Sequence, residues 1–519
     1  MQSSAVVVHA ALLDLEPMRA LLESCYSPNR HGQPRRDPIL MLRCLFVGAF
    51  CGIPAINRWV AHLKTHAELR VICGLGPQDK PPGVGTFYGF IDRIFDGPWR
   101  SPRQRPVRPS ELLHGDHGRF ARKVEQERDD DKAARKAALD GPDDARIKHE
   151  VKEAMERLDD PLPNDFAHRL ELLLWMVGVL PSLADGLFEG QRHISVGADG
   201  SAVCTHASGE GKQLCGCTVD RCGCERLYSD AEAQWGWDHA LKTHFFGYRI
   251  HGHIARVATF DLPLHIDIAP ANMLDASMGI VGDVRVHKLQ RELGVDLDIG
   301  FAPRDKGYDA EAYYKLLLKL DQVPVIPLKG KAVYSTHSEG FGFDAEGHPM
   351  CKGGVAMLRH AFVRSVQTTI YHCPAKYVGR DTDGKLVRKV DLSRCPLGVL
   401  CVPMSESTMK PLVYVRSTVN PRLHPGIDRS SPEFKSRLAD RTATERYNSF
   451  AKVARGMEDR PFRRQHLYHL YGTLCAVEMH LNARLTRRLG KLDIHSVQDL
   501  FGVLEALLAQ QGVQAADAA

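Results

Sequence analysis

The sequence predicts a mixed α/β protein, with an all-helical N-terminal domain followed by a sheet-bearing core that a β-rich subdomain interrupts. Three observations carry this. Apolar residues recur at helical spacing through the first hundred positions. Composition then turns abruptly basic, Pro-rich and densely charged. From 190 onward, short runs rich in β-branched and aromatic residues alternate with Gly and Asp breaks. The boundaries read this way are a helical domain at 1–100, a charged helical linker at 101–189, the first part of the core at 190–329, an inserted β-rich subdomain at 330–435 and the C-terminal helices of the core at 436–519. A chain of 519 residues exceeds what a single core usually organises, so several folding units are expected.

In the first unit, "PILMLRCLFVGAFCGI" is an apolar run led in by Pro38, and "AINRWVAHLKTHAELRVI" repeats apolar residues every three to four positions. "KPPGVGTFYGFIDRIFDG" places a Pro/Gly turn before another amphipathic helix. That arrangement suits a helix-turn-helix DNA reader and any helical bundle equally. After it, "PRQRPVRPS" and "KVEQERDDDKAARKAALDGPDDARIKHEVKEAMERLDD" hold few core-forming residues, so they read as an exposed linker without chemistry.

The core follows as "HISVGADGSAV", "HFFGYRIHGHIARVATF" and "LPLHIDIAPA", three strands in a meander. A helix over "DASMGIVGDVRVHKLQREL", a strand in "VDLDIGFAPRDKGYD", a helix over "AEAYYKLLLKL" and a strand in "QVPVIPLKG" complete the order βββαβαβ. This is the order of an RNase H-like catalytic core, a mixed sheet covered by helices.

Four acids stand out. Asp199 lies inside the first strand among small and apolar residues, where a carboxylate is costly unless paired or metal-bound. Asp305 follows the fourth strand, at the end where open α/β sheets place ligands, although a turn Asp is equally a cap. Asp309 precedes a helix and reads as its N-cap. Glu445 sits in "RTATERYNSFAKVARG", where Arg441, Glu445, Asn448 and Lys452 recur at helical spacing and share a stripe. Alone, that stripe is an ordinary solvated helix with ion pairs.

Together these stretches resemble bacterial insertion-sequence transposases of the DDE class, in the family whose last helix carries a Tyr-Arg-Glu-Lys signature. "GADGSAV" resembles the first-Asp strand and "PRDKGYD" the second-Asp turn, while Arg441, Glu445 and Lys452 match the signature spacing. Leu438 stands where the family has its tyrosine. "CGCTVDRCGCERLYSDAEAQWGWD" with "FFGYRIH" resembles a segment of one branch, and "RDPILMLRCLFVGAFCGI" with "PPGVGTFYGFIDRIF" resembles the family's DNA-binding region. The resemblance implies a transposase that binds the terminal inverted repeats of its element, cleaves the DNA and joins the 3′-hydroxyl to target DNA. Two ends must meet, which implies a homodimer in the DNA complex. An RNase H-like nuclease that cuts without joining, and a domesticated DNA-binding protein, are the alternatives.

Phosphodiester chemistry of this kind uses two divalent ions to activate water and stabilise the leaving oxygen. Asp199, Asp305 and Glu445 are oxygen donors suited to Mg²⁺ or Mn²⁺. The intervals from 199 to 305 and from 305 to 445, 106 and 140 residues, require the fold to bring them together. The second interval leaves room for the insertion. Cys215, Cys217, Cys222 and Cys224 form two C-x-C pairs, a candidate structural Zn²⁺ site. Cys351, Cys373, Cys395 and Cys401 are wider spaced, as suited to buried thiols as to zinc.

Arg441, Arg446, Lys452 and Arg455 are candidate DNA contacts, in a segment (441–464) with seven basic and three acidic side chains. Trp235, Trp237 and Tyr447 could stack on an unpaired base or pack in the core, and Trp237 is taken as a candidate DNA residue. Asp238, Asp275 and His244 read as capping or sheet-edge residues. A formal charge of +5 is compatible with a polyanionic partner without requiring one. The longest apolar run, "LELLLWMVGVLPSLADGLF", is broken by Pro181 and Asp185, so a cytoplasmic, nucleoid-associated protein with reduced cysteines is expected.

Overall fold

Period-two runs in the core become a six-stranded sheet. The computed structural model describes residues 2–28, 35–53, 55–99, 143–213, 215–218, 226–238, 241–329, 412–416, 421–458 and 463–491, together with 344 and 348–395 apart from 352, 367 and 381. The strands are β1 (Ile194–Cys204), β2 (Lys212–Gln213), β3 (Arg226–Leu227), β4 (Gln234–Asp238), β5 (Thr243–Val257), β6 (Phe260–Pro270), β7 (Ile299–Pro303) and β8 (Val323–Val325). Only β2 and β3 stand apart, paired with each other.

The sheet order is β4-β5-β1-β7-β8. The fifteen residues of β5 are long enough to share its outer edge, with β4 along Thr243–Gly247 and β6 along Tyr248–Val257. β1 runs antiparallel to β5 and parallel to β7, and β7 runs parallel to β8. Helices Asp275–Leu293 and Glu311–Lys319 form the connections on either side of β7, as the apolar spacing predicts. The chain is therefore mixed α/β, with helices first and sheet after. The short β2–β3 pair and β4 are additions that the sequence reading did not single out.

One apolar cluster joins the N-terminal helices to the sheet. It runs from Leu42, Phe46 and Trp59 through Trp175 to Ile250, Ile254 and Leu264, and on to Tyr447 and Leu474. The helical run Phe166–Ala184 is apolar and long enough to cross a bilayer by composition, yet it packs in this core. Pro181 does not end it. A π-turn over Trp175–Val179 precedes the proline and absorbs its missing donor, and the Trp175 indole donates to the Leu264 carbonyl at 2.8 Å.

On the opposite face, Ile147 and Val151 of helix Asp143–Glu156 pack with Ile280, Tyr313 and Leu317. This part of the charged stretch is thus anchored rather than wholly exposed, because its few apolar residues fall one turn apart. Residues 100–142 lie outside the described residues.

Between the core halves, β9 (Leu358–Val363), β10 (Thr368–His372) and β13 (Leu412–Arg416) form a three-stranded antiparallel sheet; β11 (Lys376–Arg380) and β12 (Leu386–Val390) form a hairpin. Cys373 and Cys395 pack together with Ala375, and Cys401 lies outside the described residues. Asp309 is structural, but not as an N-cap, because Ala310 takes that position. Its carboxylate instead accepts from Arg422 at 2.8 and 2.7 Å and from the Lys329 amide at 2.6 Å, tying the two ends of the insertion to the core.

Candidate functional site

Asp199 sits mid-strand in β1, opposite Gly252 of β5. In the parallel pairing of β1 with β7, Ser195 faces Phe301. Four residues further along each path are Asp199 and Asp305, so the second acid arrives beside the first. Asp305 also caps the 3₁₀ turn Lys306–Tyr308, its Oδ1 accepting from the Gly307 amide at 2.7 Å. The cap fixes the carboxylate and is compatible with a ligand role.

Arg304 locks this arrangement. Fully buried, its guanidinium donates to the Val196 carbonyl of β1 at 2.6 Å, to the Tyr313 hydroxyl at 3.1 Å and to Asp283 at 2.5 Å. A buried guanidinium with every direction filled holds the end of β7 against β1, one residue before Asp305.

Helix Thr442–Ser449 brings the third acid. Its seat is made by two glycines on the Asp199 face of the sheet. A Cβ at Gly197 would stand 3.1 Å from the Arg441 Cα, and one at Gly252 would stand 3.5 Å from the Tyr447 ring. The Tyr447 ring is buried there and its hydroxyl donates to the Gly472 carbonyl at 3.0 Å. Tyr447 is therefore a packing residue.

Arg441 bridges the acids. One terminal nitrogen, Nη1, donates to Asp199 Oδ2, while Nη2 donates to Glu445 Oε1 at 2.7 Å. The Asp199 side chain is 19% exposed and that of Glu445 54%. Burial pushes the Asp199 carboxyl up to about 7; Arg441 opposes the shift, while Asp275 and Asp305 add to it. Asp275, read from sequence as a capping or sheet-edge residue, thus acts on Asp199 through its charge. A Cβ at Gly200 would lie 2.1 Å from Asp275 Oδ1, and Arg249 pairs with the same oxygen at 3.4 Å. Only cross-strand placement reveals this, since 75 residues separate Asp275 from Gly200.

Lys452 lies close by, donating to Ser201 Oγ at 3.1 Å and pairing with Glu458 at 2.6 Å. The helix does not keep one stripe to that point. Asn448 is buried, and a π-turn over Phe450–Ala454 shifts the phase before Lys452. Arg446 turns away to Asp261 of β6, with Nη2 to Oδ1 at 2.8 Å. Arg455 pairs with the fully buried Glu478, with Nε to Oε2 at 2.7 Å. These two bases therefore have structural partners outside the acid group. Leu438, at the signature's tyrosine position, packs beside Phe434, Val325 and Phe301.

Trp235 and Trp237 project from β4 and are 51% and 39% exposed, so they are not core residues. Trp237 stacks edge-on with His244, and its carbonyl accepts from Arg249 at 3.0 Å. His244 and Asp238 are edge residues, Asp238 Oδ1 accepting from the Leu241 amide at 3.1 Å. From Gly252 to His244 is eight residues of β5, roughly 26 Å of strand. Trp237 is therefore separated from Asp199 along the strand, yet Arg249 connects its carbonyl to Asp275 beside the acids.

Among the described residues, no three His, Cys, Asp or Glu side chains converge as a ready metal cage, and the Arg441 guanidinium occupies the space between Asp199 and Glu445. The two carboxylates on Arg441 and the nearby Asp305 are hard oxygen donors of the kind that Mg²⁺ and Mn²⁺ take. Of the zinc candidates, Cys222 and Cys224 lie outside the described residues. Cys215 accepts from the Gln213 side-chain amide at 3.3 Å, and Cys217 is exposed.

Residues 2–93 match the family model described as a transposase domain (DUF772). The matched residues are the N-terminal helices, whose apolar faces continue into the sheet's core. The match ends well before Asp199, so the acids rest on geometry alone. No curated protein matches the chain.

Proposed function

We propose that the protein is a DNA transposase that cleaves the ends of its element and joins the freed 3′-hydroxyl to target DNA by a DDE mechanism on an RNase H-like core. One observation supports this above the rest. Asp199 and Glu445, 246 residues apart in the chain, share the Arg441 guanidinium, and Asp305 lies close enough to raise the Asp199 carboxyl through its charge. The transposase-type N-terminal helices beside that sheet fit the same reading.

In this reading Asp199, Asp305 and Glu445 would hold Mg²⁺ or Mn²⁺, which supplies an activated water and neutralises the leaving oxygen. Asp199, in β1, and Asp305, in the turn just past β7, would set the position of the scissile phosphate. Glu445, on the exposed side, completes the donor set. Arg441 and Lys452 take backbone phosphates flanking that bond, giving affinity that falls steeply with salt. Trp237, exposed on β4, would stack on a base displaced from the duplex further along the DNA. Arg446 and Arg455 would contribute to the basic surface while keeping their ion pairs. A homodimer would hold two element ends at once. Structural Zn²⁺ on Cys215, Cys217, Cys222 and Cys224, and a cytoplasmic, nucleoid-associated location, complete the proposal.

The test is an excision assay on a supercoiled plasmid carrying the DNA that flanks the gene, with Mg²⁺ or Mn²⁺. Wild type is expected to release the element and form strand-transfer products, while Glu445→Gln binds the ends without cutting. Cleavage without any joined product would favour a nuclease. Equal cutting by both proteins would remove Glu445 from the site.

A further inference from the structure

We infer that Arg441 couples DNA binding to metal binding, by exchanging its grip on Asp199 and Glu445 for a DNA phosphate. The inference rests on the reading above and adds a role for Arg441 beyond phosphate contact.

The two partners compete for the same atoms. Asp199 Oδ1 is committed to the Gly200 amide at 2.9 Å, and the other oxygen, Oδ2, is the one Arg441 holds. Arg441 also holds Glu445 Oε1. A cation shared by Asp199 and Glu445 would meet the full positive charge of the guanidinium that bridges them, so the two compete electrostatically for the same pair of carboxylates. Once displaced, the guanidinium and its five donors need another anion. A phosphate oxygen meets the same planar donor fork.

The backbone at Arg441 does not accommodate the exchange. Its Cα lies against β1 at Gly197, and the following helix is pinned by the buried Tyr447 ring. The Arg441 side chain is 25% exposed and has a solvent-facing route. A side-chain swing is therefore the available motion. Lys452 is a poor substitute for Arg441 because it is already engaged by Ser201 and Glu458.

Linkage makes the effect reciprocal. If a phosphate takes Arg441, the two carboxylates lose their internal counter-charge and bind divalent cation more tightly; if a cation takes the carboxylates, Arg441 is released toward phosphate. Arg441 is in this sense a positioning residue that acts through Asp199 and Glu445.

The experiment measures Mn²⁺ affinity from the electron paramagnetic resonance signal of free Mn²⁺, with the full chain, with and without a duplex carrying an element end. Wild type, Arg441→Gln, Arg441→Lys and Asp199→Asn are compared, each checked for native melting. Without DNA, Arg441→Gln is expected to bind Mn²⁺ about fivefold or more tightly than wild type. Its gain on adding DNA should shrink to what the phosphate itself contributes as a ligand. Arg441→Lys, whose compact ammonium matches the two carboxylates less well, should fall between. Unchanged or weaker Mn²⁺ binding by Arg441→Gln, or a gain on adding DNA equal to wild type, overturns the coupling. If Asp199→Asn still abolishes binding in that case, the metal-site reading survives. Absence of Mn²⁺ binding to wild type in both conditions overturns the two together.

Discussion

The strand-borne half of the acid group and the helix-borne half are built differently. Asp199 stands in β1 and Asp305 in the turn two residues past the end of β7, with buried Arg304 fastening that end to β1 and a backbone amide fixing one oxygen of each carboxylate. Glu445 stands on a short helix, half exposed, and a π-turn follows it. Among the described residues, one arginine side chain links it to Asp199. The first half is preformed by packing, and the second is adjustable at the level of side chains. Such a division suits a site that must admit a bulky polyanion before its donor set closes.

The comparison can be broken at its rigid side. Arg304→Met should remove the cation that Asp283 pairs with, leaving its buried carboxylate only Tyr313 and His253, and cost about 3–5 kcal/mol. Urea unfolding checks this. A loss under 1 kcal/mol would mean that the strand ends do not depend on Arg304. Next, Gly197→Ala places a methyl against the Arg441 backbone and should cost about 1–3 kcal/mol as the helix shifts away. On the proposed function, end cleavage should fall with it.

pH sharpens the same contrast. The folded Asp199 carboxyl titrates near 7, against about 4 in an unfolded chain. The folded state therefore holds a proton that the unfolded state has lost, and this group's contribution to stability declines as pH rises from about 4 to 7. Cation binding requires the carboxylate. Mn²⁺ affinity should accordingly rise by up to about tenfold per unit up to pH 7 and level off above it. Calorimetric titration at pH 5.5, 6.5, 7.5 and 8.5 tests the window, and a flat profile would contradict it.

The smallest effects belong to the helix side. Tyr447→Phe removes the hydrogen bond to Gly472 and should cost about 1 kcal/mol in urea unfolding. Arg446→Ala loses a pair whose arginine is half exposed, while Asp261 keeps Arg256, and should cost under about 1 kcal/mol. A larger change in end affinity than in stability would give Arg446 a DNA contact in addition to its ion pair.

Much of the fold was legible because its signals are local. Strand periodicity located β1, β5, β6 and β7, and helical spacing located the segments between them. An Asp within an apolar strand and an Asp after the next parallel strand marked two acids without any knowledge of pairing. What escaped depended on distant partners. Asp275 reaches Asp199's surroundings across strands, Arg446 finds Asp261 from 185 residues away, and Asp309 finds Arg422 rather than the helix it precedes. The π-turns also escaped, since one inserted residue changes the phase of a helix without leaving a compositional mark. Trp235 and Trp237 were ambiguous because aromatic residues serve cores and stacking surfaces alike, and only their exposure on the edge of β4 separates the two.

The most direct measurement is single-turnover cleavage of a labelled element end in Mg²⁺ by wild type, Asp199→Asn, Asp305→Asn and Glu445→Gln, with end binding measured on the same samples. Loss of cleavage by at least about a hundredfold in all three variants, with binding retained, is the expected result. Wild-type cleavage rates in any one of them would contradict the assignment of that carboxylate, and in all three would contradict the site itself.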